Sequence, residues 1–512
     1  MITFKKQKVT AEDFYKLLFG GEKIEISEEV ISRVKSSFDF LQGFSKDKII
    51  YGINTGLGPM AQYRIDEADQ IELQYNLIRS HSAGAGDPIP GIYVKSLMIA
   101  RLITFLQGNS GVHPDIIHLL KEMINREIYP VIYEHGGVGA SGDLVQLSHL
   151  GLALIGEGEV THQGETRPTK EVFDEYSLQP LKMYIREGLG IINGTSAMSG
   201  IGVVNLIQAR NILHWSVIIS CLINEIVESY DDHFSFELNQ VKSHEGQRTV
   251  SKWMRDILSD SQLIRRRSEH LYNNHIGPGV LNDKVQEYYS VRCIPQILGP
   301  VLDTLDHAES VVMNEVNSVD DNPIIDQDNE NVFHGGNFHG DYVAIEMDKL
   351  KIAISKLSML AERQLNFLLN SKLNGRLQPF VNLGKLGLNF GMQGIQFTAT
   401  STVAENQTLS FPAYIHSISC NNDNQDIVSM GTTAALIARK VIENAYEVVA
   451  IELIAVLQAV DYLEIEKELS AFNRSVFKEV RDIIPKFIGD HVMSDEIRRV
   501  KEHLLSTRKK LS

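Results

Sequence analysis

Cysteine is nearly absent: Cys221, Cys293 and Cys420 are the only three in 512 residues. So few, so scattered, they build neither a disulfide framework nor a zinc site, and they suit buried thiols in a reducing cytoplasm. Proline is scarce too, 14 in all, so long stretches run without a helix breaker. Positive charge is in deficit: 49 Lys and Arg face 65 Asp and Glu, a net −16, and no basic block interrupts that balance. Nucleic acid is therefore not an expected partner. The most apolar long segment, Val441–Leu463, carries Glu443, Glu447 and Glu452. Each is costly in a bilayer, so a buried helix is expected there rather than a membrane span. The opening "MITFKKQKVTAEDF" leads into no apolar core or small-residue cleavage site, and no signal peptide is expected.

What is present reads as a mainly α protein. Met198–Tyr230, Met347–Asn370 and Thr432–Leu463 place apolar residues at helical spacings on more than one face, the pattern of helices buried on several sides. Strand-like runs are short and mostly N-terminal, Ile49–Ile53 among them. The expected organisation is a smaller mixed N-terminal domain over 1–195 and a long-helix bundle over 196–512. Between the helices, residues with unusual backbone demands gather in islands: "YGINTGLGP" (51–59), "GGVGASGD" (136–143), "INGTSAMSG" (192–200), "DDNPIID" (320–326), "FHGGNFHGD" (333–341) and "NNDNQDIVSMG" (421–431). Such islands on a rigid frame are where sites concentrate.

From Gly137 the second island reads G-V-G-A-S-G, a formal dinucleotide fingerprint, with Glu157 about twenty residues on. Its context disagrees. A Rossmann unit needs strands alternating with helices around the glycines, whereas the preceding hundred residues read as helical and 155–160 offers no second strand. Asp143 also sits where a pyrophosphate would meet the helix N-terminus, and its charge would repel that group. A simpler alternative makes the glycines a tight turn with Ser141 or Asp143 as N-cap of the next helix.

The company the loop keeps points elsewhere. "GGVGASGDLVQLSHL" resembles the signature of the aromatic amino acid ammonia-lyases and aminomutases, the histidine, phenylalanine and tyrosine lyase family. "YGINTGLGP", "LIRSHSAG", "INGT", "VQEYYSVRCIPQ", "DNPIID", "GGNFHGDY" and "NQDIVSMG" match the same family in order, over nearly the whole chain. The resemblance is greatest to bacterial tyrosine ammonia-lyases. It implies that Ala140, Ser141 and Gly142 cyclise to a 4-methylidene-imidazol-5-one whose electrophilic methylene derives from Ser141. Such a group lets ammonia leave from a weakly acidic substrate by covalent catalysis. Gly142 leaves the attacking nitrogen without a neighbouring Cβ, and the flanking glycines permit a compressed backbone.

Residue by residue, the resemblance makes Tyr51 the base for the β-proton and Arg292 the grip on the substrate carboxylate, a task suited to a planar bidentate donor. Asn193, Gln286 and Tyr289 match groups around the carboxylate and the cofactor ring, Phe338 an aromatic beside the site, and Gln425 a support of the loop. The family forms homotetramers with shared active sites, so Tyr51 and Arg292 are expected to reach one cofactor from different chains. No metal is expected: His334 and His339 flank "GGNF" without a third ligand.

The ring to be bound is left open between two candidates. Ser80-His81 at the selectivity position and Glu405 in "VAENQ" match histidine lyases, while "NNDNQDIVSMG" resembles the tyrosine lyase and aminomutase wording. An imidazole at His81 can hydrogen-bond a phenol or face another imidazole. L-Tyrosine to 4-coumarate is the favoured reaction, L-histidine to urocanate the alternative. Beyond them stand a tyrosine 2,3-aminomutase and, on account of Lys385, a lyase for a mercaptoimidazole amino acid.

Overall fold

Helices carry most of the chain in this computed structural model, which describes residues 1–272, 279–281 and 284–511. Four exceed twenty residues: Ser196–Ile226, Ile294–Val316, Asp341–Leu369 and Gly431–Leu463. The mainly α expectation is met, and three of these helices cover the expected apolar runs. The run expected to reach Tyr230 stops at Ile226, because Glu228 turns to a φ of 50° and the Ser229 amide returns to the Asn224 carbonyl at 3.0 Å, a left-handed helix stop. Ser196–Ile226 is long and apolar enough to cross a membrane, yet 83% of its most apolar window is buried inside the protein. Within Gly431–Leu463, Glu452 is buried, and burial pushes its carboxyl well above the usual range.

The chain divides into two compact units that are discontinuous in sequence: 1–207 with 308–348 and 412–439, and 208–307 with 349–411 and 440–512. The division falls inside each of the four long helices.

In the first unit, helices Gln70–His81, Leu144–Leu154 and Glu187–Ile192 pack on one another. Glycine sets their spacing: a Cβ on Gly188 would stand 2.6 Å from the Gln74 carbonyl oxygen. The buried Gln74 side chain donates to the Gly52 carbonyl (3.2 Å) and accepts from the Leu189 amide (3.0 Å), which ties the loop after Tyr51 to this helix layer. All the strands among the described residues are in this unit and are short: Ile2–Phe4 parallel to Ile24–Ile26, and antiparallel pairs elsewhere.

Two local expectations are corrected. Ile49–Ile53 is not a strand; the Ile53 and Asn54 amides both return to the Ile50 carbonyl, Gly52 takes a φ of 71°, and Ile50 and Ile53 bury against Leu41, Ile325 and Val332. Apolar alternation there serves a turn with a buried inner face. Conversely, the stretch after Ile155 does yield a strand, Glu159–His162, paired with Glu165–Pro168 through Gln163 and Gly164 at φ 52° and 84°. Two consecutive left-handed residues make a hairpin turn matched to strand twist.

In the second unit several large buried rings have their polar tips engaged. The buried Tyr446 hydroxyl donates to the Gln208 carbonyl (2.9 Å) and accepts from Asn211 (3.1 Å), and the Trp215 indole donates to the Thr507 carbonyl at 3.2 Å. Such pairing lets large rings enter a core without stranding a polar atom.

Candidate active site

The Gly136–Asp143 loop needs its glycines. Gly136, Gly139 and Gly142 adopt φ values of 130°, 75° and 74°, and a Cβ on Gly142 would lie 2.0 Å from the Gly194 carbonyl oxygen. Two distant chain segments therefore touch backbone to backbone, which only glycine allows. The contact is secured by the Asp143 amide, which donates to the Gly194 carbonyl at 2.8 Å.

Other islands complete the clamp. Asn193, capping Glu187–Ile192, donates to the Ser141 carbonyl (3.0 Å) while its own oxygen accepts from the Asn322 amide (2.8 Å). Gln425 donates to the Ser141 hydroxyl at 2.9 Å. The Gly139 carbonyl accepts from the Ser429 hydroxyl (3.0 Å) and the Gly340 amide (3.1 Å), and the Val138 carbonyl from the Met430 amide (2.9 Å). Among the described residues, no hydrogen bond engages the Gly142 amide or the Ala140 carbonyl. The carbonyls of Val138, Gly139 and Ser141 beside them are all held.

Asp143 occupies the N-cap position of Leu144–Leu154, but its carboxylate does not cap that helix. It accepts instead from the Met198 amide (2.8 Å), in the first turn of Ser196–Ile226, and from the Thr432 hydroxyl. The alternative of a simple capped turn is thus corrected: the side chain braces a second helix. Burial raises the Asp143 pKa to about 7, against the lowering effect of these hydrogen bonds.

A cavity of about 1060 Å³ opens over the loop, lined by Tyr51, His81, Ser141, Asn193, Phe338 and Gln425. Its remaining wall is largely apolar, with Leu57, Met60, Ile65, Leu73 and Leu77, as expected of a site for an aromatic ring. The Tyr51 hydroxyl accepts from the Gly58 amide at 2.9 Å, and the Tyr51 amide donates to His334 Nε2 at 3.3 Å. Burial lowers the His334 pKa, which favours the neutral ring that can accept this bond. His81 ends its helix with Nδ1 at 2.9 Å from the Leu77 carbonyl. The Ser80 hydroxyl, 3.0 Å from Nδ1, donates to the same Leu77 carbonyl (3.2 Å), and a carbonyl can only accept, so in the neutral ring Nδ1 carries the hydrogen and Nε2 presents a lone pair.

Gln286, Tyr289, Arg292 and Glu405 belong to the second unit. There the Arg292 guanidinium donates to Gln286 at 2.6 Å and stacks 4.8 Å from the centre of the Tyr289 ring, which is 69% exposed. Glu405 accepts from Asn444 at 2.8 Å. Lys385, also in this unit, is exposed.

Sequence reading missed the layer beneath the loop. Thr195, one residue beyond Gly194, donates its amide to Asp320 at 2.7 Å, and its hydroxyl lies 2.6 Å from Glu315 and 3.0 Å from Asp320. Buried Arg101 pairs with Asp320 at 3.2 Å. "INGT" and "DDNPIID" signalled two sites of backbone constraint, but nothing local links them to Arg101 or Glu315.

Comparison with known proteins agrees with this architecture. The family model described as aromatic amino acid lyase matches residues 9–482. A tyrosine 2,3-aminomutase of Myxococcus sp. (strain Mx-B0) is 39% identical over 96% of this chain and 95% of its own length. A histidine ammonia-lyase of Bacillus subtilis (strain 168) is also 39% identical, over 98% of this chain and 96% of its own. The crystal structure of a tyrosine aminomutase from Streptomyces globisporus superimposes with a TM-score of 0.95 at 36% identity, covering 98% of this chain and 96% of that one. Matched over nearly its whole length in sequence and in backbone, the chain belongs to the aromatic amino acid lyase family, enzymes that cleave carbon–nitrogen bonds.

Proposed function

We propose that this enzyme eliminates ammonia from L-tyrosine to give 4-coumarate, with a 4-methylidene-imidazol-5-one formed from Ala140, Ser141 and Gly142. The observation that carries the proposal is that Ser141, Tyr51 and His81 line one apolar-walled cavity. The loop fits the cofactor: its two ring-closing groups are unbonded among the described residues, and Gly142 and Gly194 touch where a side chain would fill the space. When formed, the group supplies an electrophilic methylene that takes up the substrate amine and makes nitrogen a better leaving group.

This chain's own side chains have separate tasks in that reading. Tyr51, with its oxygen stabilised by the Gly58 amide, removes the β-proton. The lone pair on His81 Nε2 accepts the hydrogen of a phenol, and the surrounding leucines exclude water from the ring. Arg292, steadied by Gln286 and Tyr289, holds the carboxylate. Homotetramer formation brings Arg292 of one protomer to the cavity of another, so an active monomer in sedimentation would overturn this arrangement.

L-Histidine is the second reading, favoured by Ser80-His81, by Glu405 and by the 39% identity to a histidine ammonia-lyase. The test is parallel incubation with L-tyrosine, L-histidine and L-phenylalanine at alkaline pH, following each unsaturated acid by absorbance and β-tyrosine by chromatography. Dominant 4-coumarate is expected. Dominant urocanate overturns the tyrosine assignment, and accumulating β-tyrosine makes the enzyme an aminomutase on the same ring.

A further inference from the structure

Hydrogen counting beneath the loop shows more than a salt bridge. The Thr195 hydroxyl has one hydrogen and lies within reach of two carboxyl groups, Glu315 at 2.6 Å and Asp320 at 3.0 Å. Asp320 has no acceptor capacity to spare: one oxygen receives the Thr195 amide (2.7 Å) and the Ser196 hydroxyl (3.2 Å), the other Arg101 (3.2 Å) and Thr104 (3.0 Å). Glu315 has the free acceptor, and the Thr195 hydroxyl donates to it across the shorter distance. A hydroxyl donating to a carboxyl oxygen at 2.6 Å is a short, strong bond. Burial raises the Glu315 pKa to about 7, with the Thr195 hydrogen bond working against it and the charges of Asp320 and Asp143 adding to it.

The chain of bonds leads to the loop. Thr195 follows Gly194, whose carbonyl receives the Asp143 amide and touches Gly142, and Asn193 holds the Ser141 carbonyl. Ring closure bonds the Gly142 nitrogen to the Ala140 carbonyl carbon and releases two waters. One carries the Ala140 oxygen with the amide hydrogens of Ser141 and Gly142. The other carries the Ser141 hydroxyl with the Ser141 α-hydrogen. The Ser141 carbonyl is retained, so the Asn193 contact persists throughout. Compression of the turn against Gly194 is the structural requirement, and the position of Gly194 is set by Thr195.

We propose that Glu315 is a positioning residue for cofactor formation: by accepting the Thr195 hydroxyl, it holds segment 193–195 against the Ala140–Gly142 turn. The inference rests on the reading that this turn matures to the imidazolone. The test is intact-mass measurement of the fraction of full-length protein that has lost two waters, with near-ultraviolet absorbance, in wild type, Glu315→Gln, Glu315→Leu and Thr195→Val. Circular dichroism and sedimentation identify the folded samples. Glu315→Gln is expected to mature like wild type, because its amide oxygen still accepts from Thr195, whereas Glu315→Leu and Thr195→Val lower the mature fraction by about tenfold or more. Full water loss in folded Glu315→Leu or Thr195→Val overturns the inference, as does failure of Glu315→Gln to mature. Should Glu315→Leu not fold, the other two variants decide. Wild type without water loss refutes the cofactor reading itself, a separate result.

Discussion

Gln425 donates its side-chain amide to the Ser141 hydroxyl across 2.9 Å, although 284 residues separate the two in sequence. The oxygen it holds is the one that cofactor formation expels, while Asn193 holds the carbonyl that stays. Ser141→Ala removes the leaving hydroxyl. That variant should fold, never lose the second water that creates the methylidene, and show kcat lower by about three orders of magnitude or more. Gln425→Leu should slow formation by about tenfold, since one hydrogen bond to the departing oxygen is lost. Mass spectrometry at successive times after synthesis checks both.

Tyr51→Phe separates formation from turnover. The phenol oxygen contacts the Gly58 amide, and none of its hydrogen bonds reaches the 140–142 turn. The cofactor's near-ultraviolet absorbance should therefore remain while kcat falls by about 10² to 10⁴, the range of general-base catalysis. A variant that keeps wild-type turnover removes Tyr51 from the role of base.

His81→Leu tests ring recognition. Nδ1 is committed to the Leu77 carbonyl, so the substitution deletes the acceptor at Nε2 and leaves an apolar wall. The ratio of kcat/KM for L-tyrosine to that for L-phenylalanine should fall by about 10- to 100-fold, the discrimination carried by a single buried hydrogen bond. An unchanged ratio, measured with both substrates on one enzyme batch, places the phenol elsewhere.

Glu315 makes stability depend on pH in a defined direction. Its folded-state pKa of about 7 lies above its ordinary 4.5, so the native state binds this proton more tightly than the unfolded chain does. The resulting stabilisation is complete below pH 4.5 and is lost as pH rises through about 7. Glu315→Gln cannot titrate there. The Tm of wild type minus that of the variant should therefore be larger at about pH 5 than at about pH 8. Thermal unfolding at both values checks it, and a difference that grows with pH would mean that the carboxylate, not the acid, is the native form.

The linear sequence by itself determined the mainly α class, the buried character of the long helices and the islands that carry the site. Helical periodicity and glycine backbone demand are local properties, legible without contacts. Family resemblance then attached roles to Tyr51, Ser141, Asn193 and Gln425, and the structure places all four on one cavity. Short apolar runs misled: Ile49–Ile53 alternates like a strand yet forms a turn with a buried face, and the hairpin at Glu159–Pro168 hid behind an ordinary Gln-Gly pair. What only the tertiary structure decided is the return of 308–348 and 412–439 to the unit that holds the loop, and with it the direction in which Asp143, Glu315 and Gln425 point. A hydrogen bond is fixed by angstroms rather than by residue type, and the energy of a buried carboxyl depends on donors and charges that the chain brings from hundreds of residues away.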